Sequence, residues 1–150
     1  MTIFARLRDI LGGEIAPEPI LAKPVEGLKA AGVSAAKAKS LRDLAERVVD
    51  GRLSFDRIAE SNDADAFAEL EAVRGVGPWS AQMFLLHHFR RPDIFPASDV
   101  GLLRASQSAF SLHERPTASE LEERAERWRP FRSYAAALLW ADGRTSQPAG

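Results

Sequence analysis

The chain contains no cysteine. Disulfides, thiolate zinc sites, thiol nucleophiles and cysteine-held iron–sulfur clusters are excluded with it. A charge bias is missing too: 20 Lys and Arg stand against 21 Asp and Glu, a net charge of −1. Composition therefore announces no polyanion partner, and any site for one has to be local. No apolar run approaches the length of a membrane span, and the opening MTIFARLRDI has no signal-peptide core. The expectation is a soluble, cytoplasmic protein with no membrane partner. Strand-like alternation, internal repeats and an interdomain linker are also lacking. With 150 residues, one domain fits, or one lobe of a larger one, and folding at that size buries roughly 70% of the unfolded chain's surface.

What is present has helical period almost throughout, and the expected class is all-α. TIFARLRDIL places Ile3, Leu7 and Ile10 on one stripe, and Gly12-Gly13 stops it. Pro17 and Pro24 bracket a short turn of helix, and VEGLKAAG ends at Gly32. Ser34 caps AAKAKSLRDLAERVVDG, with Leu41, Leu44 and Val48 expected on the buried side and Gly51 at its end. A short helix follows Ser54, and Asn62 and Asp63 open DADAFAELEAV. WSAQMFLLHHF is apolar nearly all round, which predicts a central, buried helix. A proline-punctuated loop, RPDIFPAS, precedes three further helices, DVGLLRASQSAF, TASELEERAERW and PFRSYAAALLWAD. Residues 144–150 are expected to fray.

Between the sixth and seventh helical segments stands VRGVGPWSA. Gly75-Val76-Gly77 is read most simply as a helix–helix turn needing positive φ. A dinucleotide-binding loop would need a third glycine where Ser80 stands, and a strand before it. A short apolar–Gly–apolar–Gly turn has another use. It leaves backbone N–H groups unpaired at the second helix's N-terminus, which suits a phosphate oxygen. Such an anchor positions a strand without reading its bases, and it needs little net positive charge.

LEAVRGVGPWSAQMFLL, DIFPASDVGLLRA and ERWRPFRSYAAALLW, in this order and spacing, resemble the helix-hairpin-helix DNA glycosylases. The 3-methyladenine DNA glycosylase II branch is the nearest match, and LKAAGVSAAKAKSLRDLAERVVDGRL looks like that branch as well. The resemblance runs over roughly residues 2–143. It implies a multi-helix bundle and an enzyme of base excision repair that hydrolyses the N-glycosidic bond of alkylated bases. Its partner would be double-stranded DNA containing a damaged base, at the bacterial nucleoid. Arg74, Gly75, Val76, Gly77 and Ser80 would hold the DNA backbone. The hairpin carbonyls of relatives can hold a sodium or potassium ion; no other cofactor and no side-chain metal site is implied.

The same resemblance makes Asp99 the catalytic carboxylate, stabilising positive charge on the deoxyribose. Read alone, Asp99 is equally a first-turn helix acid or N-cap. Many relatives carry a second acid where this chain has Ser98, which can itself cap the helix. Lyase relatives carry a lysine where this chain has Trp79, so a monofunctional enzyme is expected. Trp79 and Trp140 match base-pocket positions, with Met83 one turn beyond Trp79; core packing competes evenly with that role at Trp140 and less strongly at Trp79. A cationic methylated purine over an indole gains about 0.5–2 kcal/mol. Trp128 is expected in the core. Arg90, Arg91, Arg104, Arg129 and Arg132 are candidate phosphate contacts, none favoured singly. His87 and His88 are adjacent, so they cannot form an i, i+4 metal pair, and they are expected to be polar members of the buried helix.

Relatives place more helix, and often a small sheet, before the point matching Thr2-Ile3. That segment normally supplies a pocket wall and a wedge residue. The expectation is a shortened or incomplete chain, monomeric unless an uncovered N-terminal face drives dimerisation. The rival reading is a DNA-binding module without activity; a helical protein–protein scaffold comes third.

Overall fold

The computed structural model describes residues 2–145, and within them every regular element is helical. The chain divides into two compact units, Met1–Gly77 and Pro78–Gly150.

The first unit holds α1 (Ile3–Ile10), α2 (Pro17–Ala22), α3 (Val25–Lys29), α4 (Ala35–Val49), α5 (Phe55–Glu60) and α6 (Asp63–Glu71). Side-chain caps start most of them. Thr2, Ser34, Ser54 and Asn62 each accept the backbone N–H three residues on, satisfying an amide the helix itself leaves open. The core gathers Leu7, Leu11, Ile20, Leu28, Ala31, Ala38 and Ala45. Ala38 and Ala45, rather than the expected leucines, form the fully buried line of α4; Leu41, Leu44 and Val48 are half-buried. The reason is steric. The short helices α2 and α3 pack on α4, and small buried alanines leave room for such packing while the longer side chains stay half-buried.

The second unit holds α7 (Pro78–His87), α8 (Val100–Ala109), α9 (Ala118–Ala125) and α10 (Arg132–Thr145), with a 3₁₀ turn over Glu126–Trp128. Its core is Phe95, Ala97, Leu102, Ala105, Leu121, Ala125, Ala136 and Leu139, with Phe110, Trp128 and Trp140 packed against it. Trp128 thus sits where expected, its ring 5.7 Å from that of Phe95. α8 and α10 pack closely because their contact is small: a Cβ on Gly143 would lie 2.9 Å from Ala105 Cβ. α9 carries the full reciprocal cap, with Thr117 Oγ1 accepting from Glu120 N–H and Glu120 accepting from Thr117 N–H.

Three expectations change here. α7 is not buried all round: only Ala81 and Leu85 are fully buried, while Trp79, Ser80, His87 and His88 are exposed. An apolar composition hid a single inward stripe four residues apart, with the first turn left to solvent. The segment expected as one helix to Trp128 tightens to 3₁₀ after Ala125. Backbone of the tail expected to fray from residue 144 continues α10 through Thr145, and residues 146–150 lie outside the described ones.

The loop between α7 and α8 is held in two ways. Ser133 Oγ accepts from Ile94 N–H at 2.9 Å and donates to the Arg91 carbonyl at 2.6 Å. Asp93 meets Arg132 Nε at 2.7 Å and Arg129 Nη1 at 2.6 Å, and Glu126 bridges both arginines. Burial pushes the Asp93 carboxyl up, but the Arg132 and Arg129 guanidinium groups outweigh it and hold its pKa below the ordinary value. Arg132 is nearly buried, so this candidate phosphate contact is instead a brace of the loop.

Candidate active site

The pinned loop delivers Asp99 to the start of α8. Asp99 N–H donates to the Pro96 carbonyl at 2.8 Å, and Oδ1 accepts from Leu102 N–H at 2.9 Å. Asp99 is therefore the N-cap of α8, the role left open for Ser98. The carboxylate does more than cap. Trp140 Nε1 donates to Oδ1 and Trp79 Nε1 to Oδ2, each at 2.9 Å. The two indoles arrive from α10 and α7, so three helices of the second unit converge on one anion.

These donors decide the carboxylate's charge. Burial alone raises its pKa, but hydrogen bonds from Trp140, Leu102, Trp79 and Gly101 reverse the shift and leave it below the ordinary carboxylate value. Asp99 is an anion at neutral pH, and Oδ2, which accepts from Trp79 Nε1, has lone-pair capacity for more than one donor.

The tryptophans divide the work. Trp79 is 47% exposed, so it is not a core residue. Trp140 is half-buried against the core, and the His87 ring stacks near it, centroids 6.1 Å apart and planes 24° apart. His87 is thus an exposed neighbour of the site rather than a polar member of a buried helix. Met83, one turn along α7 from Trp79, is half-buried and is not among the groups bonded to Asp99.

Gly101 was not singled out from the sequence. A Cβ there would stand 2.9 Å from Asp99 Oδ1 and 3.4 Å from Trp140 Cδ1 and Nε1. Its bare backbone lets the indole reach the carboxylate. The signal available was DVGLL itself: a glycine in a first helical turn, where it costs up to about 1 kcal/mol against alanine, calls for a reason.

The hairpin belongs to the first unit. Gly75 has φ +78°, whereas Gly77 is not in the left-handed region; one glycine rather than two makes the turn. Val76 N–H donates to the Val73 carbonyl at 3.1 Å, so that amide serves the turn and is withdrawn from the expected phosphate contacts. Arg74 N–H donates to Asp43 Oδ2 at 2.8 Å, leaving its exposed side chain as what Arg74 can offer a strand. Among the described residues, the Gly75 and Gly77 N–H groups donate to no protein oxygen. A Cβ at Gly77 would meet nothing within 4 Å, so its face is bare. Ser80 is exposed in the first turn of α7. Among the described residues no cluster of three or more His, Asp or Glu side chains could hold a metal, and no helix is long and apolar enough to cross a membrane.

All-helical architecture, a glycine hairpin between α6 and α7 and a carboxylate at the head of α8 define a helix-hairpin-helix protein of DNA repair type. The chain belongs to the HhH-GPD superfamily of base excision DNA repair proteins, which matches residues 1–130. It is 33% identical over 104 residues to a DNA-3-methyladenine glycosylase of Bacillus subtilis, covering 69% of this chain and 34% of that protein. DNA-3-methyladenine glycosylase 1 of Schizosaccharomyces pombe is 30% identical over 141 residues, covering 92% and 62%. The crystal structure of a DNA-3-methyladenine glycosidase from Bacillus halodurans superposes with a TM-score of 0.88 at 29% identity, over 96% of this chain and 67% of that one. The S. pombe 3-methyladenine DNA glycosylase in complex with abasic DNA gives 0.87 at 27% identity, over 99% and 74%. The chain spans from about a third to nearly two thirds of the length of these curated relatives.

Proposed function

We propose that the chain removes alkylated bases of the 3-methyladenine type from duplex DNA by hydrolysing the N-glycosidic bond, with Asp99 as the catalytic group. The observation that carries this reading is a carboxylate held ionised between two indole N–H groups at the head of α8. As the base leaves, the deoxyribose becomes cationic, and a fixed anion facing it stabilises that charge without reorganising. The depressed pKa makes Asp99 a weak base, so its contribution is electrostatic more than proton abstraction from water. A methylated purine already carries positive charge and leaves readily, which suits a site with little acid catalysis to offer. The exposed face of Trp79 is the natural platform for such a cation. The hairpin amides of Gly75 and Gly77 anchor the strand, and the damaged nucleotide is flipped out of the stack.

The reaction stops at the abasic site. A strand-cleaving lyase needs an amine nucleophile, and the second unit contains no lysine: the chain's last is Lys39. Trp79 stands where lyases would place one, and its nitrogen donates to Asp99. The test is a labelled duplex carrying 3-methyladenine or hypoxanthine, incubated with the full chain. Free base and alkali-dependent nicking are expected, with no nick before alkali and no borohydride-trapped adduct. Retained duplex binding without base release would favour a DNA-binding module instead; a trapped adduct would overturn the monofunctional assignment.

A further inference from the structure

We infer that Asp43, on α4, is a positioning residue for the strand-binding hairpin, an assignment that rests on the reading of the hairpin as the DNA anchor. The turn's amides show why. Val73 N–H donates to Leu70 and Val76 N–H to Val73, each at 3.1 Å; both bonds are local. Arg74 N–H alone among them is satisfied from afar, by Asp43 Oδ2 at 2.8 Å across 31 residues of sequence. The same oxygen accepts Arg47 Nε at 2.8 Å from one turn further along α4. Asp43 is thus fixed by its own helix and in turn fixes the hairpin. The Arg74 backbone bond, then Arg47, hold its pKa below the ordinary value.

A second contact lies one turn back on the same face of α4. Gly75, at φ +78°, rests so close to Ser40 that a Cβ would stand 2.4 Å from Ser40 Oγ. That hydroxyl is itself anchored, donating to the Ala36 carbonyl at 3.1 Å. Ser40 and Asp43 form a seat with a steric stop on one side and a charged acceptor on the other. With Arg74 N–H drawn into the seat, the Gly75 and Gly77 amides keep one orientation before any strand arrives. A loop ordered in advance does not lose that ordering entropy on binding.

The sign of the effect separates this role from plain electrostatics. Asp43 is an anion beside a phosphate-binding turn, so as a bare charge its removal would tighten DNA binding. As a brace, its removal weakens binding. The experiment measures Kd for undamaged and abasic duplexes, together with single-turnover base release at saturating DNA. It compares the full chain with Asp43→Ala, Asp43→Asn and Gly77→Ala. We expect Asp43→Ala to raise Kd about tenfold on both duplexes, and Asp43→Asn, which keeps one acceptor oxygen, about threefold. The saturating rate should stay within about twofold of the parent. Asp43→Asn carries the test if the alanine variant fails to fold. Weakened binding by Gly77→Ala alongside unchanged or tighter binding by the Asp43 variants overturns the brace alone. Unchanged binding in all three overturns the hairpin reading and the brace with it. A fall in saturating rate equal to the loss of affinity also overturns it, since a positioning residue of the anchor leaves the chemistry intact.

Discussion

At the scale of single residues, the candidate site is a problem in hydrogen-bond accounting. Asp99 serves as helix cap, the plainer of the roles weighed for it in the sequence, and also accepts two indole N–H groups. A group whose pKa falls on folding contributes stability above its unfolded value, near pH 3.9, and loses it as pH drops through the lower folded value. Titration of the Asp99 carboxyl carbon by NMR should therefore place its midpoint below about pH 3.9. Trp140→Phe keeps a ring and removes a donor, and its midpoint should move up; an unchanged midpoint would show that the indole does not tune the acid. Gly101→Ala sets a methyl 2.9 Å from Oδ1. It should slow base release while costing about 1–3 kcal/mol of stability, measured by urea unfolding. Asp43 is illegible in the sequence because it acts through a neighbour in space, Arg74, 31 residues further on; Gly101 leaves only the local trace of a glycine in a first helical turn, since its partner Trp140 lies 39 residues beyond it.

At the scale of elements, caps and the helix-ending glycines Gly12, Gly13, Gly32 and Gly51 are readable because they act locally. Ser34, Ser54 and Asn62 cap helices at positions the sequence suggests; Thr2 and Thr117, not among the expected caps, obey the same short-range chemistry. Which face each helix buries was harder. α4 buries its alanines in place of its leucines, and α7 exposes a tryptophan, because the choice is made by a partner helix or by the anion nearby. The loop between α7 and α8 matters most, since it carries Asp99. Breaking its clamp with Arg132→Ala leaves Asp93 close to buried with only Arg129 to meet it. Losing the charged hydrogen bonds of Arg132 while Arg129 still meets the carboxylate costs about 1–3 kcal/mol, so the melting temperature should fall by roughly 5 °C for a chain of this size. A loss no larger than that of an exposed arginine would show that the clamp is ornamental.

For the molecule as a whole, the near-neutral charge becomes intelligible if backbone amides, rather than a basic surface, hold the strand. Each phosphate neutralised by a cationic side chain contributes about 0.9 to the slope of log K against log salt. Binding carried by amides should therefore give a shallow slope, about 3 or less in magnitude, in anisotropy titrations from low to moderate salt. A slope near those of proteins with broad basic faces would point to Arg90, Arg91 or Arg104 as the true contacts.

In the proposed division of labour, the anion at Asp99 performs the chemistry and the hairpin performs the binding. Single-turnover release of 3-methyladenine by the parent and by Asp99→Asn, with duplex affinity measured on the same samples, tests it most directly. The variant should release base about 10²–10³-fold more slowly at an affinity within about twofold of the parent. Equal rates of release in the two proteins would contradict it.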